Sequence, residues 1–112
     1  MQPKTKKYIL DIESAIEEIE NLIRLCEGNF KNFEKNPLVI RSLERLLEII
    51  GEATKKAIYV DNSLRIPHST RIISLRNRFA HAYDSIQLSV IWAIAIRDVP
   101  KLKVELDTLD FN

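Results

Sequence analysis

The sequence predicts an all-α fold, an up-and-down bundle of four helices, and three observations carry that reading. Apolar residues recur at spacings of three and four over long stretches, the period of helices with one buried face. Only 2 glycines and 4 prolines interrupt 112 residues, so long regular elements are expected. Apolar residues make up 46% of the chain and charged residues 29%, an ordinary globular composition rather than that of a disordered one. At this length the chain reads as a single helical domain, residues 1–112, with room for a proper core but not for a second unit.

The first helix is expected over residues 5–26. Tyr8, Ile12, Ala15, Ile19, Leu22 and Cys26 form its stripe, Ile9, Ile16 and Ile23 flank it, and Gly28 is a natural stop. Its acids, from Asp11 to Glu27, make an outer face of the kind that is usually solvated. Residues 29–36 read as a connecting turn whose Phe30 and Phe33 tuck into the core. Asn36-Pro37 is a helix start, a capping side chain followed by proline at the first helical position. Val39, Leu43, Leu46, Leu47, Ile50, Ala53, Ala57 and Ile58 then define a second long helix ending near Tyr59. Gly51 costs that helix about 1 kcal/mol relative to alanine, for which a close helix crossing would compensate.

Residues 60–66 are turn-rich, and Pro67 opens the third helix. Asp84-Ser85 reads as the cap of the fourth, whose apolar run 86–96 is short of the roughly 20 residues a membrane span needs. That run is apolar on every side, and three other helices cannot wrap it. An oligomer follows, most simply a twofold homodimer. Pro100 is expected to kink or break this helix, with Leu102, Leu106 and Leu109 continuing an amphipathic tail.

The net charge of +1 does not by itself point to a polyanionic partner. Cys26 is the only cysteine, so neither an intrachain disulfide nor a cysteine-built zinc site can form, which suits a reducing cytoplasm. Lys4, Lys6 and Lys7 are followed by acids from Asp11 on, without an uninterrupted apolar signal core. The expectation is a cytoplasmic protein with no membrane contact.

The charges are unevenly placed. Between Asp61 and Asp84 there is no acid, while Arg65, Arg71, Arg76, Arg78, His68 and His81 all fall in that window. Such a patch can hold phosphates, or it can pair with the acidic first helix; charge alone favours neither. On a helical projection Ile72, Ile73, Leu75, Phe79 and Ala80 form the buried arc of the third helix. Arg76 and Tyr83 lie nearly on one line at its edge. Asn77 and His81, one turn apart on the polar side, can hydrogen-bond and so fix the orientation and tautomer of the imidazole.

An arginine and an oriented imidazole suffice for one kind of metal-free, cofactor-free chemistry. RNA brings its own nucleophile, the 2′-hydroxyl beside the scissile phosphate. What remains is to move protons near neutral pH and to stabilise the charge of the phosphorane. His81 suits the first task and Arg76 the second. A twofold axis near this helix would supply one base, one acid and two guanidiniums.

Arg76-Asn77-Arg78-Phe79-Ala80-His81-Ala82-Tyr83 resembles the Arg-x4-His-x-Tyr motif of the HEPN superfamily, specifically the HepT-like toxins of minimal nucleotidyltransferase/HEPN toxin–antitoxin systems. Leu47-Glu48-Ile49-Ile50-Gly51-Glu52-Ala53 is similar to the second-helix signature of that family, and Ile66-Pro67, Trp92 and Val99-Pro100 stand at matching places, so the resemblance runs from about Tyr8 to Leu109. It implies a HEPN-type homodimeric bundle with a composite site at the interface and metal-independent endoribonuclease activity. Carried over residue by residue, Arg76 and His81 are the catalytic pair and Asn77 orients the histidine. Tyr83 matches the tyrosine that a cognate nucleotidyltransferase antitoxin modifies with AMP in some members. Asp84 and His68 depart from the family pattern, where aromatic residues are common. Arg78 is a candidate phosphate contact, or a solvent-exposed or ion-paired arginine. A reading from a different class is a non-catalytic HEPN module that clasps a nucleotide or a partner protein.

Overall fold

A computed structural model describes residues 1–81 and 87–109, the side chains of residues 76–81 excepted. The regular elements among the described residues are all helical, without a strand. Helix α1 spans Pro3–Leu25, α2 Phe30–Glu34, α3 Pro37–Val60 and α4 Thr70–His81; α5 (Leu88–Ala93) runs through a π turn (Ile94–Asp98) into α6 (Val99–Asp107).

Four long helical runs are present, but the connection after α1 is itself a helix, so the described residues hold a five-helix arrangement rather than the simple four-helix one expected. Helix α2 forms because Asn29 caps it, its side chain accepting from the Asn32 amide at 3.1 Å. Asn32 in turn donates to the carbonyl of Cys26 at 3.0 Å, tying α2 to the end of α1. Phe33 is fully buried, and its ring lies 4.9 Å from that of Trp92 on α5, with Phe30 edge-on to the same indole at 6.3 Å. The short helix thus covers part of the apolar surface of α5 within one chain.

The stop of α1 is a Schellman motif. The Gly28 amide donates to the Ile23 carbonyl and the Glu27 amide to that of Arg24, both at 2.9 Å. Two residues take left-handed conformations there, Glu27 at φ 56° and Gly28 at φ 64°. Gly28 marks the stop, as expected, but the first left-handed position falls to Glu27, where a side chain costs about 1 kcal/mol or more. Cys26 is buried behind this turn, and burial pushes its thiol above the ordinary range, which makes it an unreactive core residue.

Helix α3 begins as its sequence dictates: the Asn36 side chain accepts from the Val39 amide at 3.2 Å and Pro37 takes the first turn. It packs against both α1 and α4. Ile9, Ile12, Ile16 and Ile19 of α1 and Leu43, Leu47 and Ile50 of α3 are almost wholly excluded from water. Tyr8 and Leu22, placed in the α1 stripe by spacing, sit instead at its half-buried edge. The start of α1 lies beside the end of α3 and the reverse, since Tyr8 and Tyr59 line one groove while Leu22 and Arg41 line another. The hairpin is antiparallel.

Pro100 does not break the last helix. The π turn over Ile94–Asp98 precedes it, and the proline falls in the first turn of α6, where its missing N–H and its ring are tolerated. Ile91, Ile94, Ala95 and Val99 are buried, and Ile96 remains 38% exposed. Lys103 of α6 donates to Glu20 of α1 at 2.8 Å, and that hydrogen bond and charge hold its ammonium above the usual lysine range. No helix among the described residues is long and apolar enough to cross a membrane.

Candidate active site

The helix that carries the motif is positioned from its N-terminal end. Asp61 closes the turn after α3, its carboxylate accepting from the Ser63 hydroxyl at 2.6 Å and the Ser63 amide at 3.1 Å. Those two bonds hold the carboxyl below the usual aspartate range. Leu64 and Ile66 are buried and pin the loop to the core. A single 3-10 turn, Pro67–Ser69, then leads into α4, with Ser69 donating to the Ile66 carbonyl at 2.6 Å and Thr70 to that of Pro67 at 2.9 Å.

From there Ile72 and Leu75 anchor α4, both essentially fully buried, and Ile73 lies at the edge of the same face. This agrees with the expected arc; Phe79 and Ala80, its other members, have side chains outside the described set. Two carboxylates from the final helix complete the mount. Glu105 of α6 accepts from the His68 backbone amide at 3.0 Å through one oxygen and lies 2.8 Å from Nδ1 of the same residue through the other. Asp98, at the end of the π turn and only 7% exposed, lies 3.2 Å from a guanidinium nitrogen of Arg71. The pairings 68 with 105 and 71 with 98 run α4 antiparallel to the closing helix.

These contacts revise the charge reading. The window from Asp61 to Asp84 is free of acids along the chain but not in space. Arg71 pairs with Asp98 rather than with an acid of α1, and Arg65 donates to the carbonyls of Asn62 and Leu64, each at 3.2 Å. His68 is held by a carboxylate at the start of α4. Sequence reasoning missed Asp98 and Glu105, and no signal short of the fold would have found them: each is 27 or more residues from its partner.

Arg76, Asn77, Arg78 and His81 lie in the last turns of α4, whose backbone helix runs through His81. At about 1.5 Å per residue, Arg76 and His81 stand roughly 7.5 Å apart along the helix axis. Their side chains, and Tyr83 as a whole, lie outside the described residues. Among the described residues no group of three or more His, Cys, Asp or Glu side chains gathers to hold a metal ion.

An all-helical bundle that presents an Arg/His helix on a polar clasp defines a class of compact helical domains with a candidate acid–base site. The chain belongs to the ribonuclease HepT-like family, whose family model matches residues 12–109, α4 included. It is 31% identical over 100 residues to a protein of Caldanaerobacter subterraneus subsp. tengcongensis named "Putative RNase", covering 85% of this chain and 87% of the relative. It is 32% identical over 114 residues to the "Probable ribonuclease HepT" of Thermococcus cleftensis, covering 97% and 98%. A "Putative RNase" of Methanocaldococcus jannaschii is 33% identical over 108 residues, covering 91% and 93%. No solved structure matches the chain significantly.

Proposed function

We propose that the chain is a metal-independent endoribonuclease, the toxin of a toxin–antitoxin pair, acting as a homodimer in the cytoplasm. The observation that carries this reading is the intact Arg76, His81 and Tyr83 constellation inside the span matched by the ribonuclease HepT-like family. The names of its relatives support the same chemistry.

His81 of one protomer removes the proton from the 2′-hydroxyl, which attacks the adjacent phosphorus. His81 of the partner protonates the departing 5′-oxygen, leaving a 2′,3′-cyclic phosphate and a 5′-hydroxyl end. Arg76 stabilises the charge on the phosphorane oxygens, where a preorganised cation is most effective. Asn77 holds the imidazole in the required tautomer, and Arg78 contacts a flanking phosphate. A cognate minimal nucleotidyltransferase silences the site by adding AMP to Tyr83, a bulky anion at the mouth of the cleft.

The test is cleavage of end-labelled RNA in EDTA by wild type and His81→Ala. Wild type is expected to cut, and the variant to lose about 10²- to 10⁴-fold in rate, the ordinary contribution of a positioned proton-transfer group. If wild type with unmodified Tyr83 leaves RNA intact, the nuclease reading falls and a binding module takes its place.

A further inference from the structure

The antiparallel hairpin of α1 and α3 has two unlike ends. No acid precedes Asp11 in α1, and none lies between Glu52 and Asp61 in α3. Antiparallel packing sets these two acid-free segments side by side, so their lysines converge on one end of the molecule. There Lys4, Tyr8, Glu52, Lys55, Lys56 and Tyr59 line a groove of ≈460 Å³. Lys56 lies 3.7 Å from Glu52, and neighbouring Lys7 donates to Asp11 at 3.1 Å. Lys4 and Lys55 make no ion pair within 4 Å among the described residues, although Glu52 lines the same groove.

Tyr59 is 90% exposed, the most exposed large apolar side chain described. Tyr8 is half-buried along the same groove. Aromatic rings standing among cations, with little acid between them, match the two needs of a single-stranded polynucleotide: a π-face for unstacked bases and positive charge for the backbone. An acidic peptide would use the lysines but leave the ring without a role, and a duplex would offer it no free base.

We propose that this end of the hairpin is a binding surface for single-stranded RNA, with a base stacked on Tyr59 and adjoining phosphates held by Lys4 and Lys55. The choice of RNA over DNA rests on the nuclease reading above; the surface itself does not. It would hold the strand away from the chemistry and so favour long unpaired substrates over short ones.

Binding of a fluorescent 2′-O-methyl oligoribonucleotide, which lacks the attacking hydroxyl, separates the two proposals. The full chain is used, with circular dichroism confirming that each variant is folded. Tyr59→Ala is expected to weaken binding about tenfold, in the range set by loss of one stacked base. Lys4→Gln/Lys55→Gln is expected to reduce the slope of log K against log salt by about 1.4, two phosphates on a single strand. Unchanged affinity and slope in both variants overturn the surface and leave the nuclease reading standing. Binding that depends on the patch, by a protein that cuts no RNA, sustains the surface and sinks the nuclease. A wild type that binds no oligonucleotide overturns the surface. So does a Tyr59→Ala variant that sediments as a smaller species, because the face then belongs to a second copy of the chain.

Discussion

Helices α1 and α3 meet along almost their whole length, largely through buried isoleucines and leucines. Helix α4 is seated differently. Ile72 and Leu75 give it a small apolar footing, and its start is gripped by Glu105 and Asp98 from the closing helix. Apolar burial is strong but non-directional. Carboxylate contacts are individually weaker and geometrically narrow. The frame is therefore built for stability, and the motif helix for placement.

The largest expected effect lies in the frame. Leu47 is fully buried in α3, and Leu47→Ala should cost about 3 kcal/mol through lost transfer energy and the cavity left behind. Urea titration followed by circular dichroism measures it. A loss below about 1 kcal/mol would mean that the frame repacks freely, and the contrast between the two regions would lose its first half.

A smaller loss of stability with a disproportionate loss of activity is expected at the clasp. Asp98→Ala removes the carboxylate facing Arg71 and should cost about 2 kcal/mol, the scale of a hydrogen bond to a charged group. Cleavage measured well below the melting temperature should fall further than unfolding accounts for, by up to about a hundredfold in kcat with KM little changed, because displacement of about 1 Å at a reacting group is that expensive. The exchanged pair Arg71→Asp/Asp98→Arg should recover part of kcat. If the exchange recovers stability but no activity, or Asp98→Ala lowers activity only in step with the folded fraction, the clasp does not position the motif.

The same contrast decides what could be read from residues alone. The frame was legible because its information is local: the spacing of Ile12, Ala15 and Ile19 and the Asn36-Pro37 start follow from period and capping, as does the apolar footing of α4 at Ile72 and Leu75. Two local signals were outweighed by neighbours. Residues 29–36, read as a turn, close into a helix once Asn29 caps it and Phe33 finds Trp92. Pro100, read as a kink or a break, does not end the helix but follows a π turn just upstream. The motif residues were read as chemistry from the spacing of Arg76, Asn77 and His81, whose side chains lie outside the described residues. Their mount was not, because Arg71 with Asp98 and His68 with Glu105 are pairings that only the return of the last helix creates.

The smallest expected effect tests the frame at Glu27, the one non-glycine residue with positive φ among the described residues. Glu27 holds a left-handed backbone at the end of α1, a position that favours glycine, and it places a negative charge at the negative end of the helix dipole. Glu27→Gly removes both penalties, while the added freedom of glycine in the unfolded chain takes back part of the gain. The net should be about 0.5 kcal/mol of added stability, a rise of about 2–3 °C in melting temperature. Cleavage should not respond, since α1 does not enter the clasp on α4. A lowered melting temperature would show that Glu27 contributes a contact outweighing its backbone strain. A change in activity without a change in stability would be more telling, because it would couple the end of α1 to the motif helix and erase the division between frame and site.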